Sequence, residues 1–305
     1  MNSLAGPSKS NPAEQPCRIA WITDPHFDHL PAARWQAWAD ELSAQAPDAL
    51  VLTGDLSEGD DVAFQLNRLA SWFRCPIHFV LGNHDFYDSS IAGTRRRCID
   101  LARDTPSLNY LSDSSPIELF PNVMLVGDDG WGDAVHGDFS GSRVRLNDFQ
   151  RIEDFQRSDP SRWQSMIRTE GQASADRLES KCLRLPDGVQ TVVVATHVPP
   201  FRDACWYEGH VTDDHWAPFF VCGAIGDSLL RLSSKFPRRR FIVLCGHTHH
   251  DGIATMADNL IVHTGYSAYG EISTESMLAI DSRGVHVPRI PTTGLPVDRQ
   301  RSDRS

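Results

Sequence analysis

Five short, almost wholly apolar runs each end on aspartate, asparagine or histidine, and no other feature of the chain restricts its fold as much. "RIAWIT" (Arg18 to Thr23) runs into Asp24-Pro25-His26, "ALVLT" (Ala49 to Thr53) into Gly54-Asp55, and "IHFVL" (Ile77 to Leu81) into Gly82-Asn83-His84-Asp85. "TVVVAT" (Thr191 to Thr196) runs into His197, and "FIVLC" (Phe241 to Cys245) into "GHTHHDG", Gly246 to Gly252. Runs of this length without polar alternation suit strands covered on both faces. In α/β sheets, ligands bind beyond the carboxyl ends of the strands. The five polar tips are therefore expected to converge on one place.

"VMLVG" (Val123 to Gly127) and "LIVHT" (Leu260 to Thr264) read as further strands. Helical patterns lie between the runs. Trp35, Trp38, Ala39 and Leu42 share one helical face; Phe64, Leu66, Leu69, Ala70 and Phe73 form a second, and Leu229, Leu230, Leu232 and Phe236 a third. Alternation of strand and helix predicts an α/β fold. "SMLAIDSRGVHVPRI" predicts a closing hairpin added to a sheet edge. Segment 86–190 holds one clear strand and a helical stretch from Ser174 to Leu185 between polar linkers. It reads as a set of insertions enlarging a single domain over 17–291, with a disordered segment at 1–16 and a flexible tail at 292–305.

Composition narrows the function classes. A formal net charge of −11 over 305 residues gives no general attraction to nucleic acid or anionic membrane, so a nuclease gripping long duplexes is disfavoured. No run is apolar and long enough to span a membrane, and the N-terminus lacks the apolar stretch of a signal peptide. The seven cysteines form no C-x-x-C pair, which fits a reducing compartment and predicts a cytoplasmic protein. "TRRR" (Thr94 to Arg97) reads as a solvated helix face.

Aspartate, histidine and asparagine at one place make an oxygen-and-nitrogen donor set without cysteine, suited to Mn, Fe or Zn and large enough for two ions. Gly54, Gly82 and Gly246 precede candidate ligands and permit close backbone approach. In order, D-x-H, G-D, G-N-H-D, a lone histidine after an apolar strand, and G-H-T-H resemble the calcineurin-like metallophosphoesterase family from Asp24 to His249. The resemblance implies a double β-sandwich of mixed sheets flanked by helices. It further implies one metal held by Asp24, His26, Asp55 and His249 and another by Asp55, Asn83, His197 and His247, with Asp55 bridging. His84 would then face the substrate and assist the leaving oxygen. The implied reaction is in-line attack on a phosphate ester by a metal-bridging hydroxide, which two cations make available at neutral pH.

Other residues read less sharply. Glu58 stands where some family phosphatases carry an acid that orients the histidine, or it caps a helix; Asp85 reads as a structural acceptor and His250 as a bystander to the motif. Arg202, Trp206 and Tyr207, on the loop after His197, are candidate substrate contacts, as is Trp131 in "GDDGWGD" after the Val123 to Gly127 strand. His210 and His215 are further cleft candidates. The protein-phosphatase pattern G-D-x-x-D-R-G is not matched, since "LSEGD" follows Asp55. A small phosphodiester or phosphomonoester is therefore the favoured substrate, with a protein phosphatase, or a scaffold of this fold that has lost catalysis, as alternatives.

Overall fold

Unbroken apolar runs leave no face to turn to water, and the chain answers this by burying each strand between a partner sheet and a layer of helices. The computed structural model describes residues 16–288, so the tail at 292–305, and the N-terminal segment apart from residue 16, lie outside the described residues. In the first sheet, β1 (Cys17–Ile22), β2 (Ala49–Thr53), β3 (Ile77–Val80) and β4 (Leu108–Tyr110) run parallel. Their crossovers carry α1 (Ala32–Ala44), α2 (Asp61–Trp72) and α3 (Ile91–Asp104).

The second sheet has the order β11-β12-β10-β7-β6-β5. It comprises β5 (Ile117–Phe120), β6 (Val123–Gly127), β7 (Thr191–Ala195), β10 (Arg240–Cys245), β11 (Gly252–Ala257) and β12 (Leu260–Thr264), of which β6, β7, β10 and β12 are parallel. The expected hairpin, β13 (Ser276–Asp281) with β14 (Gly284–His286), extends the first sheet by pairing β13 antiparallel to β1. Between β7 and β10 lie a two-stranded ribbon, β8 (Trp206–Tyr207) and β9 (His210–Val211), the short α7 (Ala217–Phe220), and α8 (Gly223–Lys235).

Alternate residues of each strand fill two different layers. Ile19, Trp21 and Val51 meet Val193, Ile242 and Leu244 between the sheets. Ala20, Ile22, Leu50 and Leu52 face Trp35, Leu42 and Leu66 of the first helical layer. Val192, Val194 and Val243 face Leu178, Leu229 and Leu232 of the second, which includes α6 (Trp163–Leu183). The shared inter-sheet layer makes this one domain, a mixed double sandwich flanked by helices.

Two expected helix faces need correction. Phe64 is 61% exposed, because the buried face of α2 is set by Val62, Leu66 and Leu69, and a residue two places from Val62 points about 200° away. Leu230 is likewise exposed, one residue around from the buried Leu229. Segment 86–190 is more regular than its sequence suggests: it supplies α3, β4, β5, β6, α6 and two short helices, α4 (Asp148–Arg151) and α5 (Glu153–Gln156).

Candidate metal centre

The strand tips of the two sheets meet across one edge. Asp24 N–H donates to Gly54 O (3.1 Å), Gly246 N–H to His197 O (2.9 Å), and His247 N–H to the Asp24 carboxylate (3.0 Å), so tips from both sheets are tied together. Asp24, His26, Asp55 and His249 each bring a ligand atom within 4.8 Å of the others; Asp55, His197 and His247 do the same. Asp55 belongs to both groups. Asp24, His26, Asp55, His247 and His249 all have positive φ, between 39° and 70°. Non-glycine residues pay strain for that conformation, and five such residues at one spot mark a functional constraint. Gly82 and Gly246 allow the close fit: a Cβ on Gly82 would lie 2.1 Å from Asp55 Oδ1, and one on Gly246 1.9 Å from Asp24 Oδ2.

Proton bookkeeping shows that the donor set fits a cation. His197 Nδ1 lies 2.9 Å from Thr53 O, and His247 Nε2 lies 3.2 Å from Phe219 O. Carbonyl oxygens only accept, so these nitrogens carry the hydrogens. The opposite nitrogens, His197 Nε2 and His247 Nδ1, therefore present lone pairs to each other at 3.1 Å. Asn83 Nδ2 donates to Asp148 Oδ1 (2.8 Å), which turns Asn83 Oδ1 toward His197 Nε2 at 3.2 Å. Asp55 Oδ1 completes the set at 3.4 Å. With His197 neutral, four acceptors thus converge with no hydrogen among them.

The electrostatics agree. Burial, with His197 alongside, lowers the His247 pKa to about 3; burial, against the pull of Asp55, likewise lowers His26 to about 3. Both stay in the neutral form that ligates metals. Burial works against a charged His197, yet Asp55 and Asp24 raise its pKa: the carboxylates demand a positive charge at this point. Burial raises the Asp24 pKa, opposed by His197 and His249. Burial also opposes ionisation of Asp55, but His197, His84 and His26 overcome it and lower its pKa.

His84 lies beside these groups without joining either. Its backbone N–H donates to Asp55 Oδ1 (2.9 Å), and its ring packs on Tyr87 and faces the cleft. Glu58 caps no helix: its Oε1 stands 3.8 Å from His84 Nδ1 and accepts from Arg151 (2.8 Å). Asp85 is a structural acceptor, holding Leu56, Ser57 and Gly82 N–H groups.

Asp55, Asn83, His247 and His249 line a cleft of about 760 Å³, and Asp24, His26 and His197 are not among its lining residues. Trp206, Tyr207, His210 and His250 line it. His250 is therefore more than a bystander: its Nδ1 accepts from Glu208 N–H and its ring packs on Tyr207, propping the β8–β9 ribbon over the cleft. Arg202 and His215 are not among the lining residues. Arg202 is spent on Asp214 (2.6 Å) and Thr212 O within its own loop. Trp131 also misses the cleft and is buried between Phe86 and Phe155. The acids of "GDDGWGD" are structural as well: Asp128 takes a bidentate pair from Arg177, and Asp129 binds Leu81 N–H, Ser112, Tyr110 and Arg95.

Sequence reasoning overlooked Tyr269, Asp148, Trp216 and Phe220. Tyr269 packs against His26 and His249 (ring centroids 4.5 and 5.2 Å). It follows β12, so the strand-end rule applied once more points to its loop. Asp148, which orients Asn83, lies in a polar stretch after no apolar run and has no such signal.

The family model for calcineurin-like phosphoesterases matches residues 17–251. A comparison with curated protein sequences gives no match. Among solved structures, a phosphopantetheinyl hydrolase from Mycobacterium tuberculosis is similar at 15% identity, with a TM-score of 0.60 over 85% of this chain and 91% of that one. A dimetal phosphatase from Danio rerio is similar at 13% identity, with a TM-score of 0.53 over 89% and 96%. At such identities the likeness concerns the fold.

Proposed function

Because the chain belongs to the calcineurin-like phosphoesterase family, we propose that it hydrolyses a phosphate ester at a dinuclear metal centre. One ion is assigned to Asp24, His26, Asp55 and His249, and the other to Asp55, Asn83, His197 and His247. Two bound cations (Mn, Fe or Zn) would lower the pKa of water and neutralise phosphoryl oxygens. The chain's residues do the rest. Thr53 O and Phe219 O hold His197 and His247 in the ligating tautomers, and Asp148 holds the amide of Asn83. His84, in the cleft with Glu58 near its Nδ1, is placed to hand a proton to the departing alkoxide as the P–O bond breaks and water's oxygen bonds to phosphorus.

The observation that carries this reading is the convergence of His197 Nε2, His247 Nδ1, Asn83 Oδ1 and Asp55 Oδ1, an arrangement that a bound cation satisfies. Among the described residues no helix is long and apolar enough to cross a membrane, and seven free cysteines support the cytoplasmic placement. Metal analysis of Mn²⁺-loaded protein should find about two ions per chain, with turnover of bis-p-nitrophenyl phosphate or p-nitrophenyl phosphate. Absence of both bound metal and turnover would sink the reading in favour of a silent scaffold. His84→Asn should slow turnover by about a hundredfold or more while keeping both ions; loss of metal instead would make His84 a ligand.

A further inference from the structure

Above the ligand candidates the cleft has an unusual lining. One wall is aromatic and stepped. Trp216 meets Phe220 edge to face at 5.5 Å, and Phe220 lies 4.3 Å from the His247 ring, so aromatic surface runs from the mouth down to the second ligand group. Tyr207 lines the same cleft from the β8–β9 ribbon, where it pairs with His210 and its neighbour Trp206 pairs with Val211. These are also anomalies of the surface: Tyr207 is 60% exposed, Trp216 47% and Tyr269 53%, and all three line this one cleft. Large aromatics left in water around a single concavity mark a binding wall, not scattered surface residues.

Charge adds a second, independent constraint. Among the described residues, no lysine or arginine lines the cleft, whereas Glu208 and Asp213 do. The nearby arginines are engaged elsewhere, Arg202 with Asp214 and Arg151 with Glu58 and Asp88. Set against Asp24 and Asp55, two divalent ions leave a small positive excess. Once the attacking water has lost its proton, one monoanion balances that excess. A dianionic monoester, or an ester carrying further phosphates, would bring negative charge that no basic side chain of the lining takes up, toward a rim that is itself acidic.

We propose that this cleft selects a phosphodiester, singly charged, whose second ester arm is an uncharged aromatic or apolar group lying along Trp216, Phe220 and Tyr207. The proposal rests on the hydrolytic reading above and names the substrate class of that same centre. Selection comes from the aromatic wall and from the missing cations, neither of which is part of the ligand set.

Two measurements test it separately from the chemistry. The first compares kcat/KM for phenyl p-nitrophenyl phosphate, methyl p-nitrophenyl phosphate and p-nitrophenyl phosphate, which share one leaving group. The phenyl diester should exceed the methyl diester by about tenfold or more, as expected for a ring buried against aromatic walls, and the monoester should be poorest. Trp216→Ala and Tyr207→Ala, checked as folded by circular dichroism, should bring the phenyl-to-methyl ratio to within about threefold of one. Glu208→Arg should move preference toward the monoester. The second titrates diphenylphosphinate and dimethylphosphinate, which cannot be hydrolysed, into metal-loaded protein by calorimetry; the diphenyl compound should bind about tenfold tighter. Equal turnover of the two diesters, preference for the monoester, or equal phosphinate affinities would overturn the pocket assignment and leave the hydrolytic reading standing. If no ester turns over in protein with both ions bound, the hydrolytic reading fails, and the phosphinate titration still decides the pocket.

Discussion

At the scale of single residues, the centre is built by withholding hydrogens and withholding side chains. His197 and His247 each spend one nitrogen on a backbone carbonyl so that the other is bare. Gly82 withholds a Cβ from a space that Asp55 Oδ1 and His197 already fill, at 2.1 and 2.7 Å from where it would stand. Neither contact is with the tip of a flexible side chain free to swing away, since both groups are buried and held. Gly82→Ala should therefore displace the shared carboxylate, dropping bound metal from about two ions to below about one per chain. The fold should survive at a cost of about 1–3 kcal/mol, the usual range for overpacking. Metal analysis beside a urea melt checks both parts; a variant with full metal content would show that the site has slack the contacts deny.

At the scale of elements, legibility follows how each element meets its neighbours. The strands β2, β6 and β12, each paired on both edges, match their apolar runs end to end: β2 is buried throughout, and β6 and β12 have no exposed residue. The edge strand β4 has only three residues, and the edge strands β5 and β11 carry exposed positions, so all three announce themselves weakly. The same logic explains the misplaced Trp131. Six apolar strands end on acids or histidines, and sequence alone does not separate a tip that binds metal from one that binds protein. β6 is the second kind. Asp129 beyond it accepts from Leu81 N–H (2.9 Å), Ser112 (2.7 Å), Tyr110 (2.6 Å) and Arg95 (3.1 Å), tying the ends of β3 and β4 and the flank of α3 to the second sheet. Asp129→Ala would take the acceptor from the buried Leu81 N–H and from the Ser112 and Tyr110 hydroxyls, leave Arg95 with Glu170 alone, and should cost about 3–5 kcal/mol in urea unfolding. A loss below about 1 kcal/mol would show that water or rearrangement replaces the carboxylate.

At the scale of the molecule, the centre exists only where two sheets are packed. Asp24, His26, Asp55 and Asn83 extend the first sheet, while His197, His247 and His249 extend the second. The family resemblance makes the ligand set readable from sequence, but the cleft above it depends on Asp148, Trp216 and Tyr269, which sit on a four-residue helix, a helix cap and a turn, too short for any periodicity to point inward. The consequence is thermodynamic. Without cations, the packed state must hold these acceptors face to face in the dry inter-sheet edge or put a proton on His197 between them. With them, the same acceptors cross-link the sheets. Ions that bind the folded chain and not the unfolded one stabilise it by about 4 kcal/mol at a thousandfold excess over Kd. For a domain of this size that corresponds to roughly 7 °C in Tm for each ion bound. Calorimetric scans of Mn²⁺-loaded protein and of protein stripped by chelation and dialysis should differ by that amount. Re-addition of Mn²⁺ should restore the higher transition, and Gly82→Ala should melt lower and gain less from Mn²⁺ than the parent chain. Coincident transitions with and without metal would mean that the acceptor cluster is satisfied some other way, and the cation assignment would fall with it.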